Sequence, residues 1–403
     1  MLAGWRNSCP AGRVPGGECR TGQNGGRLNI SERRLLLCGY YGFDNAGDEA
    51  VLLALLQQLR RHLPDWKPVV LSADPQATGR IYGVEACDRW RPAEVWREIR
   101  RCTALIHGGG SLLQDVTGRS SLLYYLGLIW MARLNRKPVF VYCQGLGPLV
   151  HADSRLLVGI TLARTEGVAL RDEESASLLA SLGVSRPALV AADPVLTLDP
   201  AAADTEGALR ALARLGINPG KGPLLLVSLR PLPSPYRDRQ PGLERAVAAA
   251  VQHFRSEGWQ ILVLPLHRAF DREICCRIDP SAVPEEPLPL PVVLGLFSLA
   301  DLVVGMRLHA LIFAALFRRP LVGLIYDPKV AAFLGQVEGA GLAAAGLDPR
   351  LLIEVATEAW ERRQEWSAGL SSRLVPLIRR ADSAAEWLKL QLEGNPPQAS
   401  RVS

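Results

Sequence analysis

From Arg34 onward the chain repeats one unit, a short apolar run, a glycine-bearing turn and a stretch of helical periodicity. Leu35–Cys38 ends at Gly39, and Gly47–Leu63 then recurs with a helical period. Pro68–Ser72, Ala104–His107, Val139–Cys143, Gly167–Leu170 and Ala188–Ala191 repeat the strand signal, with helical stretches between most of them. Such alternation predicts an α/β fold with a doubly wound parallel sheet. A more polar stretch around Pro200–Gly222 separates this from a second series, with strands at Leu224–Leu229, Ile261–Leu264, Leu302–Val304 and Leu321–Ile325 and helices at Leu243–Ser256, Leu308–Arg318 and Lys329–Leu334. The chain therefore reads as two Rossmann-like domains, 31–205 and 220–350, whose parallel sheets face a cleft. Helices over 351–393 pack back over them, and 1–30 and 394–403 are disordered tails.

The 403 residues, 48% of them hydrophobic, suffice for two domains with substantial cores. The net charge of +6 comes mostly from residues 1–34, which hold six Arg against two Glu. What is left on the body is too little for a nucleic-acid footprint, so no nucleic-acid partner is expected. The eight cysteines (9, 19, 38, 87, 102, 143, 275 and 276) show no C-x-x-C spacing and mostly sit in apolar runs, the usage of reduced thiols in a cytoplasmic protein. No metal site is expected. The start has no apolar signal core, and no window reaches the roughly 18 apolar residues of a membrane span. Leu122–Ala132, the longest such run, reads as a buried helix, and the Asn29-Ile30-Ser31 sequon as a chance triplet.

In open parallel sheets ligands bind beyond the carboxyl ends of the strands, and the unusual residues stand there. The first series offers Asp44, Asn45 and Asp48, then His107-Gly108-Gly109-Gly110, Gln144-Gly145, Arg171-Asp172 and Asp193-Pro194. The second offers Arg230, His267, Met306-Arg307-Leu308-His309 and Asp327-Pro328-Lys329. In GFDNAGDEA, Gly42 and Gly47 have P-loop spacing, yet Asp48 and Glu49 occupy the places of Lys and Ser/Thr and would repel a phosphate. Helix capping accounts for one carboxylate there; two behind a glycine turn point to function. His107 before three glycines suggests an esterase oxyanion loop, but the chain has no G-x-S-x-G elbow. The glycines instead leave backbone N–H groups facing a ligand at the start of a helix from Ser111, or serve tight turning alone. Arg171 can be a partner of Asp172, and His267 a structural imidazole. Arg307 and His309 in the first turn of one helix, with Lys329 opening the next, make an anion site.

The stretches GYYGFDNAGDEAVLLALL, HGGGSLLQD, QGLGP, LRDEES, ADPVL and GMRLHALIFAALFRRPLVGLIYDPKV, in this order from about Leu35 to Leu334, together resemble the polysaccharide pyruvyl transferase family, in particular its bacterial cell-surface branch. The resemblance implies a glycosyltransferase-B-like fold and transfer of the enolpyruvyl unit of phosphoenolpyruvate onto a sugar as a cyclic ketal. It implies phosphoenolpyruvate as a co-substrate with no further cofactor. The implied acceptor is a lipid-linked β-N-acetylmannosamine, bridged at its 4- and 6-hydroxyls, in the wall polymers that anchor surface-layer proteins. By position, Arg171, Arg307, His309 and Lys329 match the donor-binding and catalytic positions, and Asp48 and Glu49 the acceptor side; the resemblance makes the first domain the acceptor side and the second the phosphoenolpyruvate side.

The residues agree with that chemistry. Phosphoenolpyruvate carries a carboxylate and a phosphate, which call for fixed cations such as Arg171, Arg307 and Lys329. His309 suits the proton donor and Asp48 the acceptor base, with Glu49, Asn45, Gly108, Gly109, Gly110, Gln144, Arg230 and His267 as further binding residues. A lipid-linked acceptor implies peripheral membrane contact at the inner face, for instance through the basic tail. A nucleotide-sugar glycosyltransferase of the same two-domain plan is the alternative, although the second series has no acidic pair suited to a ribose. A non-catalytic sugar-binding protein would not need Arg307, His309 and Lys329 together.

Overall fold

The computed structural model describes residues 33–116 and 118–394. The expected tails, the sequon at 29–31, Cys9 and Cys19 lie outside the described residues, apart from Gly394, which ends the last helix. The first series builds β1 (Arg34–Cys38), α1 (Ala46–His62), β2 (Lys67–Ser72), α2 (Pro75–Tyr82), β3 (Glu85–Asp88), α3 (Pro92–Arg101) and β4 (Ala104–His107). It continues with β5 (Gly110–Leu113), α4 (Arg119–Leu134), β6 (Val139–Leu146), α5 (Ala152–Leu162), β7 (Gly167–Leu170), α6 (Glu173–Ser181) and β8 (Leu189–Val190). The second series is α7 (Thr205–Arg214), β9 (Leu224–Ser228), α8 (Gln240–Ser256), β10 (Gln260–Val263), α9 (Arg268–Ile278), α10 (Leu290–Leu299) and β11 (Leu302–Gly305). Then come α11 (Leu308–Leu316), β12 (Leu321–Ile325), α12 (Pro328–Val337), β13 (Ala340–Ala343), α13 (Pro349–Glu361) and α14 (Arg363–Gly394).

Two sheets result, ordered β3-β2-β1-β4-β6-β7-β8 with β5 beside β6, and β10-β9-β11-β12-β13, and their ladders are parallel. The chain reverses its direction of travel between β1 and β4 in the first sheet and between β9 and β11 in the second. Such switch points open a crevice at the carboxyl edge of a sheet. α1 starts from one crevice and α11 from the other.

Strands such as Leu35–Cys38 and Leu302–Gly305 are buried on both sides because helices cover both sheet faces. α3 to α6 close one face of the first sheet, and α1 with α14 the other. One apolar cluster runs through α1, α7, α10, α11, α12 and α14 and so joins the two series. α14 packs on the first sheet: Ala384 and Leu388 are buried in one cluster with Leu35 and Leu37, and Gln58 Nε2 donates to the Ala381 carbonyl at 3.0 Å.

Four differences have physical causes. Ser111 does not open a helix. Gly110 (φ 97°) turns the chain so that Ser111 enters β5 along β6, and α4 starts only after Gly118 (φ 140°). The 200–222 stretch is no simple separator, since α7 inside it packs on α10, where Asp204 N–H donates to the Pro291 carbonyl at 2.8 Å. β3 and β13 escape a hydrophobic-run reading because they are edge strands of polar or small residues, Glu85–Asp88 and Ala340–Ala343. The run Leu122–Ala132 forms a helix, but not a fully buried one: Leu123 is 54% exposed. The six described cysteines are free thiols, and burial pushes Cys38 up to about 12.

Candidate active site

The GFDNAGDE turn is pinned at both ends. Asp44 takes a left-handed conformation (φ 57°), and Asn45 then caps α1 by accepting the Gly47 N–H at 3.3 Å. Asn45 bridges His267, beyond the end of β10, and Ala46 N–H donates to the Leu266 carbonyl at 2.8 Å. Backbone bonds thus hold the first sheet's turn against the second sheet.

This closure separates the two carboxylates. Asp48 accepts a short hydrogen bond from Asn45 Nδ2, and its other oxygen faces Gly110, where a methyl group would fall 2.9 Å away. Burial pushes Asp48 up to about 6, although the charges of His309 and Arg307 pull the other way. Glu49 turns to the opposite side and staples its own loop, accepting the Gly42 N–H at 2.8 Å and the Tyr82 hydroxyl at 2.6 Å. It lines a cavity of about 280 Å³, shared with Asp44, Arg268 and Leu288. Asp48 and His309 lie outside that cavity's lining.

The second sheet supplies the cations. Arg307 caps α11, and its Nε and Nη2 both meet Asp271 at 2.5 Å, a bidentate pair with a carboxylate that is 0% exposed. The same Asp271 accepts the His267 N–H at 2.9 Å and so fixes the start of α9. His267 stays neutral at ordinary pH: burial, then the charge of Arg307, lowers it to about 4. Arg230 donates to the Tyr326 hydroxyl at 3.1 Å, and the Lys329 ammonium stands 3.2 Å from Asp327.

His309 ties the halves together. Its imidazole lies over Gly47, and its Nε2 is 3.6 Å from Asp193, an ion-pair contact longer than a hydrogen bond. Burial works against Asp193, but the contact with His309 and the charge of Arg171 outweigh it and hold the carboxyl below its ordinary range. Arg171 is only 6% exposed, with Asp172 at 3.3 Å, Asp193 at 3.4 Å and Ser111 Oγ at 3.4 Å. Its guanidinium lies against Gly145, where a side chain would collide at 2.4 Å. Arg171 is thus a buried partner of carboxylates, including the pairing with Asp172 that its place in the sequence allowed.

The glycine run packs closely. Gly108 N–H donates to the Cys38 carbonyl at 2.7 Å, and the Cβ positions of Gly108 and Gly109 are taken by Tyr41 and Val51. These glycines allow close packing, the Gly108 amide is taken by Cys38, and of the three only Gly110 borders Asp48. Behind them His107, lowered to about 4 by burial, meets Gln144 at 3.2 Å, deep in the core.

A family model for polysaccharide pyruvyl transferases matches residues 45–328, from the Asn45 cap to the start of α12. The chain belongs to the polysaccharide pyruvyl transferase family. The match spans Asp48, Arg171, Asp193, Asp271, Arg307 and His309. As a pyruvyl transferase, it keeps company in fold with nucleotide-sugar enzymes. Anabaena HepE in complex with UDP-glucose superposes with a TM-score of 0.61 at 12% identity, over 90% of this chain and 100% of that one. The UDP-GlcNAc 2-epimerase of Neisseria meningitidis gives 0.58 at 13%, over 88% and 99%, and a glycosyltransferase of Rickettsia africae 0.58 at 7%, over 91% and 100%. At such identities the likeness shows the glycosyltransferase-B-like fold alone.

Of the expected site residues of this pyruvyl transferase, Asn45, Asp48, Gly110, His267, Arg307 and His309 meet at the junction of the sheets. Arg171 reaches it through Asp193. Glu49, Gly108, Gly109 and Gln144 do not point into it. The sequence reading gave Asp193 no role, although it stands in ADPVL beyond a strand, and passed over Asp271, which shows only as an acid in the first turn of α9. Among the described residues no three His, Cys, Asp or Glu side chains are grouped to hold a metal, and no helix is long and apolar enough to cross a membrane.

Proposed function

We propose that this member of the family moves the pyruvyl unit of phosphoenolpyruvate onto a sugar as a 4,6-ketal, with a lipid-linked β-N-acetylmannosamine at the cytoplasmic membrane face as acceptor. One observation supports this reading above the others: His309 from one sheet stands on the turn that carries Asp48 from the other, with Arg307 beside them. An acid, a base of raised pKa and a fixed cation are what the reaction needs.

In this reading Asp271 holds one edge of the Arg307 guanidinium and leaves Nη1 free for the donor's carboxylate or phosphate, with Arg230 and Lys329 as further cations. His309 gives its proton to the methylene carbon, which makes the neighbouring carbon electrophilic. A sugar hydroxyl attacks that carbon and loses its proton to Asp48, phosphate leaves with the electron pair of its C–O bond, and the second hydroxyl attacks the same carbon to close the ring, returning its proton to the imidazole of His309. Asp193, held by Arg171, keeps the imidazole in place.

The test is to incubate the enzyme with phosphoenolpyruvate or UDP-sugars and a lipid-linked acceptor, following phosphate release and acceptor mass. A gain of the pyruvyl ketal with equimolar phosphate supports the reading. Transfer of a glycosyl unit from UDP-sugar instead would replace it with glycosyl transfer.

A further inference from the structure

α4 turns apolar residues to solvent. Leu123, Trp130 and Leu134 recur at helical spacing and are 54%, 36% and 75% exposed. The adjacent α5 adds Leu156, Leu157 and Ile160, at 62%, 40% and 38%. The helices lie side by side: Arg119 pairs with Asp153 near their starts, and Trp130 Nε1 donates to Thr161 Oγ1 at 3.0 Å near their ends. The six side chains thus form one continuous apolar face, of the kind a soluble surface rarely leaves uncovered.

Its rim is basic. Between Arg119 and Glu166 the sequence has six Lys/Arg and two carboxylates, and Asp153 and Glu166 are occupied by Arg119 and Arg133. Arg136, Lys137, Arg155 and Arg164 have no carboxylate partner among the described residues. Arg164 lies over the Trp130 ring, 5.6 Å from its centroid. Arg136 takes the left-handed position that ends α4 (φ 55°), where glycine would be the unstrained choice.

We propose that the α4–α5 face docks on an anionic lipid bilayer. Leucines and an indole enter the interfacial layer while long cationic side chains reach the headgroups, the arrangement by which amphipathic helices bind acidic membranes. A second copy fits the face poorly, because a symmetric contact sets one cationic rim against another. Both helices start from the carboxyl edge of the first sheet, the edge at which α1 with Asp48 also starts.

Vesicle binding needs no turnover, so its outcome is independent of the pyruvyl-transfer reading. The full chain is sedimented with phosphatidylcholine vesicles and with vesicles containing phosphatidylglycerol, across a salt series. Binding should require the anionic lipid and weaken with salt. Leu134→Glu with Leu156→Glu should weaken it more than about tenfold at unchanged melting temperature, since both side chains are exposed. Arg136→Gln with Lys137→Gln should weaken it roughly tenfold. The proposal is overturned if the parent ignores anionic vesicles, if the double-Glu variant binds like the parent, or if sedimentation velocity shows a dimer that the same substitutions dissociate.

Discussion

The imidazole of His309 rests on the backbone of Gly47: a Cβ built on Gly47 would fall 2.2 Å from His309 Nδ1 and 2.7 Å from Cγ. The glycine of the GDE turn serves the histidine of the other sheet. Gly47 lies in the first turn of α1 without a left-handed φ, so alanine there is favoured by the backbone by about 1 kcal/mol and opposed chiefly by the ring, with His309 Cβ a milder contact at 3.1 Å. Gly47→Ala should therefore lower the melting temperature and, by displacing the imidazole, reduce kcat about 10²-fold. In a His309→Ala background, where only the Cβ contact at 3.1 Å remains, the same change should cost clearly less. Equal destabilisation in both backgrounds, measured by thermal unfolding, would show that the contact is not the cause.

Arg171→Ala should act on stability before it acts on donor binding. It strips the buried Asp172 and Asp193 of their cation, which costs about 3–5 kcal/mol in comparable buried pairs. Asp193 sits below its ordinary range despite burial, so the pairing stabilises above that range and is lost as pH falls; the cost of the substitution should shrink in acid. Urea unfolding at pH 7 and pH 4 measures both. A variant as stable as its parent that no longer binds phosphoenolpyruvate would make Arg171 a donor ligand after all.

The parallel sheets were legible because a strand buried on both faces is a continuous apolar run, and the motif residues at strand ends followed from the ligand rule for such sheets. What the sequence hid was pairing. A bidentate bond between Arg307 and Asp271 joins residues 36 positions apart on separate helices, and nothing local marks Asp271 as its partner. Gly47 and Gly110 read as phosphate-loop or turn glycines and Gly145 only as a residue beyond a strand end, yet each gives room to a side chain from elsewhere, His309, Asp48 and Arg171. Side chains fill the space that the sequence reading left for ligand. Edge strands, short and half polar, carry too little hydrophobic signal to be seen.

Asp271→Asn tests whether a second carboxylate positions the donor cation. The amide keeps the size of the side chain and an acceptor for the His267 N–H, but it cannot hold two guanidinium nitrogens as a charged pair. KM for phosphoenolpyruvate should rise about tenfold or more with a smaller change in kcat, the pattern of lost ground-state binding. The melting temperature should fall, since Arg307 loses its buried partner. Unchanged KM, with the variant folded, would show that Arg307 does not need Asp271 to meet the donor.

Asp48 joins stability to function with opposite signs. Burial raises its carboxyl from 3.8 to about 6, so the folded protein holds that proton more tightly than the unfolded chain does. The contribution is complete below the unfolded value and is lost as pH rises through 6. At neutral pH the ionised carboxylate is a net cost on the order of 3 kcal/mol against an unburied one. Asp48→Asn keeps the shape and an oxygen for Asn45 Nδ2, so it should raise the melting temperature by a few degrees at pH 8, a gain that disappears below about pH 4. The same variant should lose turnover by 10²-fold or more while still binding phosphoenolpyruvate, because a base has been removed and no cation. In the parent, kcat/KM should fall on the acid side with an apparent pKa near 6, and in the variant that limb should vanish from whatever rate remains. A variant that turned over normally, whether or not it melted higher, would reduce Asp48 to a helix-start carboxylate, and the acid limb would then belong to another group.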